Sequence, residues 1–201
     1  CHPAPVPRNC RRRRHRHLMH WATAIQPTRV LGLTLREPVT LAHVLLLEEI
    51  GSPIPWGRDA TAGDVAVAAF VCAWPANKSR RLVGSALFPL AMALLALVNR
   101  RRNKLEEGRR FIEWFSDQCK TPPQFTQDGA RECAAPWWMN RIAFATGECG
   151  LSLSETLNSP CRLISLIVSA RAESKGVVEF ETARQTEFFE NVKRWTAEMS
   201  N

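Results

Sequence analysis

The 201-residue sequence has none of the short signatures that would name a chemistry. It contains no GxSxG, no Walker loop and no HExxH, so the usual strand-to-helix nucleophile, phosphate cradle and zinc-protease helix are all missing. Its seven cysteines are odd in number and scattered, with no CxxC pair; that excludes a fully paired disulfide framework and fits free thiols in a reducing compartment. An apolar signal core is missing too, since Leu18–Gln26 is short and interrupted. A cytoplasmic location is therefore expected, and because the sequence opens on Cys1 rather than Met, the expectation is either a missing N-terminus or a reading frame that begins elsewhere. Alternating apolar and polar runs are scarce, which argues against a sheet-dominated fold.

What is present is a helical pattern. Pro38–Pro53 reads as one core helix: Thr40 caps it, Gly51 supplies the left-handed stop, and Pro53 prevents resumption. Leu41, Val44, Leu45, Leu46, Leu47 and Ile50 fall on nearly every side of the cylinder, so other elements must surround it. Gly63-Asp64 opens a second helix, Val65 to Trp74, whose alanines at 66, 68, 69 and 73 allow close approach to the first; Cys72 belongs to the core. Leu82–Val98 carries no charge and is flanked by Arg80-Arg81 and Arg100-Arg101-Arg102. Its length sits at the lower edge of a membrane span and Gly84, Ser85 and Pro89 interrupt it, so the sequence predicts burial against the two earlier helices, with a break around Ala86–Pro89. Lys104–Cys119 reads as an amphipathic surface helix with Leu105, Phe111, Ile112 and Phe115 inward and Glu106 paired to Arg110.

Thr121-Pro122-Pro123-Gln124 and the polar run that follows read as a linker. Beyond it, Pro136 starts a helix whose Trp137 and Trp138 are expected to anchor packing, with one indole buried and the other at the rim. Ser152 and Glu155 form a capping box, and Ser159-Pro160 starts the next helix. That helix is expected to turn Arg162, Ser165, Ser169 and Glu173 to water and Leu163, Ile164, Leu166 and Ile167 to the core. A last helix carries the stripe Phe188, Val192, Trp195 and Met199, which docks in cis or on a partner chain. The fold class is all-α, an irregular bundle of about six to seven helices. One short ribbon is expected between Thr28–Leu35 and Val177–Glu181. The domain reading is a basic, disordered arm at 1–27, a helical core at 28–120, a linker at 121–135, and a C-terminal helical part at 136–201 packed on the core.

Net charge is +8, and much of the excess lies in Arg11, Arg12, Arg13, Arg14 and Arg16 and in the cluster at Arg100–Arg102. The arm repels itself and has no apolar face to bury; contact with nucleic-acid phosphates would need little beyond such flexible cations. Cys10, His15, His17 and His20 match no zinc-finger spacing, and the arginines among them repel a cation. A lone His43 among leucines reads as a hydrogen-bonded core residue. Glu48 and Glu49 are adjacent on the helix and do not face each other. No catalytic residue, cofactor or metal is expected, and the chain is read as a non-enzyme.

Three blocks together carry a resemblance: Pro38-Val39-Thr40-Leu41-Ala42-His43-Val44-Leu45-Leu46-Leu47-Glu48 followed by Gly51-Ser52-Pro53; Gly63-Asp64-Val65 leading to Val71-Cys72-Ala73; and Gly150 through Pro160. They resemble small helical proteins of phage and prophage tail modules that look like tail assembly chaperones. The resemblance implies a non-enzymatic assembly protein acting through protein–protein contacts, with other phage tail proteins, the tape-measure protein among them, as partners. Self-association is a further expectation. The competing readings are a nucleic-acid-binding protein using the arginine arm and a small membrane-associated protein.

Overall fold

Thr40 opens the helix around which the others gather, α1 (Leu41–Glu49). Its backbone N–H donates to His43 Nδ1 at 3.1 Å, so histidine takes the place that Glu or Gln usually fills in a capping box. At the other end Gly51 sits at φ +74°. The Gly51 and Ser52 amides then reach the carbonyls of Glu48 and Leu47, both at 2.9 Å, the paired closure that only a left-handed residue permits. No atom lies within 4 Å of where a Cβ would stand on Gly51, so the backbone angle, not space, demands glycine. Leu41, Val44 and Leu47 are fully enclosed, while Leu45 is only half-buried.

The computed structural model describes residues 28–35, 38–122, 124–126, 135–176 and 178–180. The arginines at 11–14 and 16, the set Cys10, His15, His17 and His20, and the stripe Phe188, Val192, Trp195 and Met199 lie outside those residues. Within the described residues the fold is all-α: eight α-helices with short antiparallel ribbons. After α1 come a 3-10 turn (Ile54–Trp56), α2 (Ala62–Cys72), α3 (Ala76–Val83), α4 (Phe88–Val98) and α5 (Lys104–Cys119). Then follow α6 (Trp137–Gly147), α7 (Leu153–Asn158) and α8 (Cys161–Ser174). The 3-10 turn, α2, α3, α6 and α7 all pack on α1, as an all-round apolar helix requires.

The ribbons pair differently from expectation. Thr28–Val30 (β1) and Leu33–Leu35 (β2) form a hairpin with each other, and Gln124–Thr126 (β3) pairs with Val178–Phe180 (β4). Leu31 and Gly32 both take positive φ, +50° and +76°, which gives a two-residue turn whose twist matches the flanking strands. A hairpin needs no distant partner. Its Val30, Leu31 and Leu35 are buried against α5 and α2.

Two helix faces also depart from expectation. In α5 the buried set is Glu107, Phe111, Trp114, Phe115 and Gln118, whereas Leu105 is 84% exposed and Ile112 also faces outward. Phe111, Trp114 and Phe115 fix the inward direction with their larger rings, in mutual contact at centroid distances of 5.8 and 5.9 Å. In α8 Ile164 is buried as expected, but the polar edge turns inward beside it: Arg162, Ser165 and Ser169 are buried, while Leu163, Leu166 and Ile167 are half-buried. Small serines let α8 close on α5 and α6. Ser165 Oγ is satisfied by the Cys161 carbonyl at 2.8 Å, and Arg162 reaches Asp117 at 3.4 Å. The Glu106–Arg110 pair, the Ser152–Glu155 box and the buried Trp138 beside a half-buried Trp137 are all present.

Candidate functional site

The chargeless stretch Leu82–Val98 is not buried against α1 and α2 as a block. It breaks at 84–87, and α3 and α4 meet at a bend of 101°. Pro89 sits in the first turn of α4, where its missing N–H costs nothing. α3 is held in by Ser79, fully buried, whose hydroxyl donates to the Val71 carbonyl at 2.6 Å. α4 packs chiefly on α2, with Phe88 against Phe70 at a centroid distance of 5.7 Å.

The result is a helix apolar all round but covered on one side only. None of its residues is buried. Leu87, Leu90, Leu94, Leu97 and Val98 are exposed to 69, 58, 53, 65 and 72%; spaced at three, four, three and one residues, they make a continuous outward stripe. On the opposite side Met92, Leu95, Ala96 and Asn99 line a cleft of about 320 Å³ shared with Ala66 and Val67 of α2. Neither the no-charge count nor periodicity could have told these two faces apart.

The C-terminus of α4 is clamped. Asn99, 4% exposed, donates from Nδ2 to the carbonyls of Leu31 at 2.9 Å and Leu95 at 2.8 Å. The N–H of Leu31 donates in turn to the buried carboxylate of Glu107 at 2.5 Å, and Glu107 also meets Arg102 at 3.3 Å. Both backbone groups of the strained turn residue are thus taken by side chains that bracket the end of α4. Asn99 and Glu107 carried no sequence signal beyond their polarity.

Cations flank the stripe in the sequence. Between residues 65 and 105 there are seven Lys or Arg and no Asp or Glu. Arg80 pairs with Glu49 at 2.5 Å, Arg102 with Glu107, and Lys78 lies over the Trp74 ring at 3.5 Å. Arg81, Arg100, Arg101 and Lys104 are exposed, and no acidic partner is recorded for them among the described residues.

The remaining candidates for chemistry are structural. His43 Nδ1 accepts from Thr40 and Nε2–H donates to the Trp74 carbonyl at 2.9 Å, so both ring nitrogens are engaged in the core. Glu48 bonds the Trp56 indole, and Glu49 points away to Arg80. Burial pushes the thiols of Cys72 and Cys161 well above the ordinary range, with the neighbouring Cys119 adding to the effect at each; such thiols stay protonated and unreactive. Arg141, whose pKa burial lowers, stacks on Trp137 at 4.4 Å and donates to the Cys119 carbonyl at 2.8 Å. A wider cleft of about 600 Å³ lies between the Gly57–Ala60 loop and α5; of its charged residues Arg58, Asp59, Lys104, Arg109 and Glu113, the last two are paired with each other at 2.7 Å. Among the described residues no group of three His, Cys, Asp or Glu is placed to hold a metal ion. No protein-family model, curated protein or solved structure matches this chain.

Proposed function

We propose that this chain is a non-enzymatic docking protein whose working surface is the outward stripe of α4. The observation that carries the reading is that all eleven residues of α4 are apolar and none is buried. Fully burying a large aliphatic side chain stabilises by roughly 1.5–3 kcal/mol, so five left at half exposure or more forgo on the order of 5 kcal/mol. A patch of this kind on a folded surface marks an acceptor that covers it.

In the tail-assembly form of this reading, implied by the sequence resemblance, the acceptor is an apolar helical segment of another tail protein such as the tape-measure protein, which the stripe keeps from aggregating. The arginine arm and the stripe Phe188, Val192, Trp195 and Met199 are further contact elements in that proposal. The test of the docking surface itself needs no partner. Leu90→Gln with Leu94→Gln is expected to keep the unfolding midpoint while lowering both the binding of a hydrophobic-surface dye and concentration-dependent light scattering. Unchanged dye binding and scattering in the pair variant would show that α4 is not the exposed surface.

A further inference from the structure

We infer that the acceptor for α4 is an anionic lipid surface, on which the helix lies flat with its outer leucines at the acyl boundary and the nearby cations against the headgroups. This rests on α4 being the docking surface and departs from the tail-assembly form in what it docks on. Three features of the helix favour a bilayer over a second copy of the chain or a partner helix.

The first is length. Eleven residues rise about 16 Å, roughly half the hydrocarbon thickness, so α4 cannot cross. The bend of 101° from α3 prevents the two from making one straight span. Among the described residues no single helix is long and apolar enough to cross a membrane. A helix too short to span, with its other side held on the protein body, can meet a bilayer only by lying in the plane of its interface.

The second is shape. Helix-in-groove recognition needs walls beside the contact. The cleft on α4 is lined by Met92, Leu95 and Ala96, on the side facing α2. Neither described cleft includes Leu87, Leu90, Leu94, Leu97 or Val98. The stripe stands on the exposed side of a helix that packs chiefly on α2, which suits a deformable acceptor.

The third is charge. Arg81 before the stripe and Arg100 and Arg101 after it in the chain are exposed, with no acid in the sequence from 65 to 105 to offset them. Two copies meeting stripe to stripe would bring these cations together. An anionic leaflet attracts each of them instead, and the attraction falls off within a Debye length. The Asn99 clamp and the Phe88–Phe70 contact hold α4 on the body, so docking the helix docks the protein.

The test is co-sedimentation of the full chain with vesicles of phosphatidylcholine alone and of phosphatidylcholine mixed with phosphatidylserine, at low and high salt. The parent is expected to sediment with the mixed vesicles and to be released by salt. Leu90→Gln with Leu94→Gln should weaken partition roughly thirtyfold on either lipid. Arg100→Gln with Arg101→Gln should weaken it roughly twenty-fivefold on the mixed vesicles only, at about fivefold per cation. Failure to sediment with either vesicle would overturn the inference; if dye binding still falls in the leucine pair, the docking surface stands and its acceptor is a protein or a second copy. Sedimentation that the leucine pair leaves unchanged would overturn it too, placing the lipid contact elsewhere, with the arginines at 11–16 the first suspects. An unchanged dye signal would sink the docking surface itself.

Discussion

Glu107→Ala tests how the end of α4 is fastened. The Glu107 carboxylate is 6% exposed and accepts the Leu31 N–H at 2.5 Å, with Arg102 at 3.3 Å and Arg110 at 3.9 Å. A hydrogen bond to a charged group contributes about 1.5–3 kcal/mol, and a buried donor left without a partner costs about 1–3 kcal/mol. The two arginines are about half exposed, so water takes over most of their share. The turn adds its own penalty, because Leu31 holds φ +50° without glycine and loses the contact that keeps it there. The sum is a loss of roughly 3 kcal/mol, read as a lower urea midpoint with unchanged slope. Glu107→Gln keeps an acceptor of similar shape and is expected to lose only about 1 kcal/mol. Hydrogen exchange should show where the damage lies: amides of the hairpin and the last turn of α4 should open in the alanine variant while those of α1 stay protected. A loss of less than 0.5 kcal/mol or so, within the range of ordinary surface substitutions, would refute the clamp.

Three further outcomes follow from other parts of the fold. Leu47→Ala removes a side chain with no exposed surface from the middle of α1 and should cost roughly 2–5 kcal/mol in chemical denaturation; a cost under 1 kcal/mol or so would mean that α1 is not the centre of the core. The hydroxyl and amide of Ser152 hold the Glu155 carboxyl below its ordinary range, so this box contributes stability above the unfolded-state pKa that is lost as pH falls through the lower folded value. NMR titration should find Glu155 depressed and Ser152→Ala should return it towards normal, whereas an unshifted Glu155 in the parent would remove the box from the acid limb of stability. Cys72 and Cys161, buried and protonated, should resist a disulfide reagent in the native chain and react only on unfolding; immediate reaction of both would show that these helices are not packed as described.

The parts of the fold legible in the sequence are those set by nearest neighbours. Gly51, Pro53, Pro136, the Ser152–Glu155 box and the Trp137-Trp138 pair act through local backbone geometry or sheer side-chain size, and each stands where the pattern placed it. The misread parts depend on how many neighbours an element finds. α4 is apolar on all sides, which in isolation reads as burial; only the count of elements beside it reveals that α2 covers one side and that a side remains uncovered. On α8 Ile164 is buried as the wheel placed it, but Arg162, Ser165 and Ser169 turn inward with it, because Ser165 hydrogen-bonds its own helix and the small side chains permit close packing. The ribbon error has a similar origin: the alternating Leu31, Leu33 and Leu35 read as one strand, whereas two positive φ angles at Leu31 and Gly32 fold it into two. The proposed docking surface was visible as a stretch without charge bounded by arginines, but its exposure was not.

The most direct measurement is the stability of Leu94→Asp set beside that of Leu47→Asp. Both place a carboxylate in the middle of an apolar helix, and helix propensity costs each only a few tenths of a kcal/mol, about 0.5. Leu47 has no exposed surface and Leu94 is 53% exposed. The account predicts that Leu94→Asp unfolds within about 1 kcal/mol of the parent, whereas Leu47→Asp loses several kcal/mol or fails to fold. Equal, severe destabilisation by both would contradict it, because α4 would then be part of the core and no docking surface would remain.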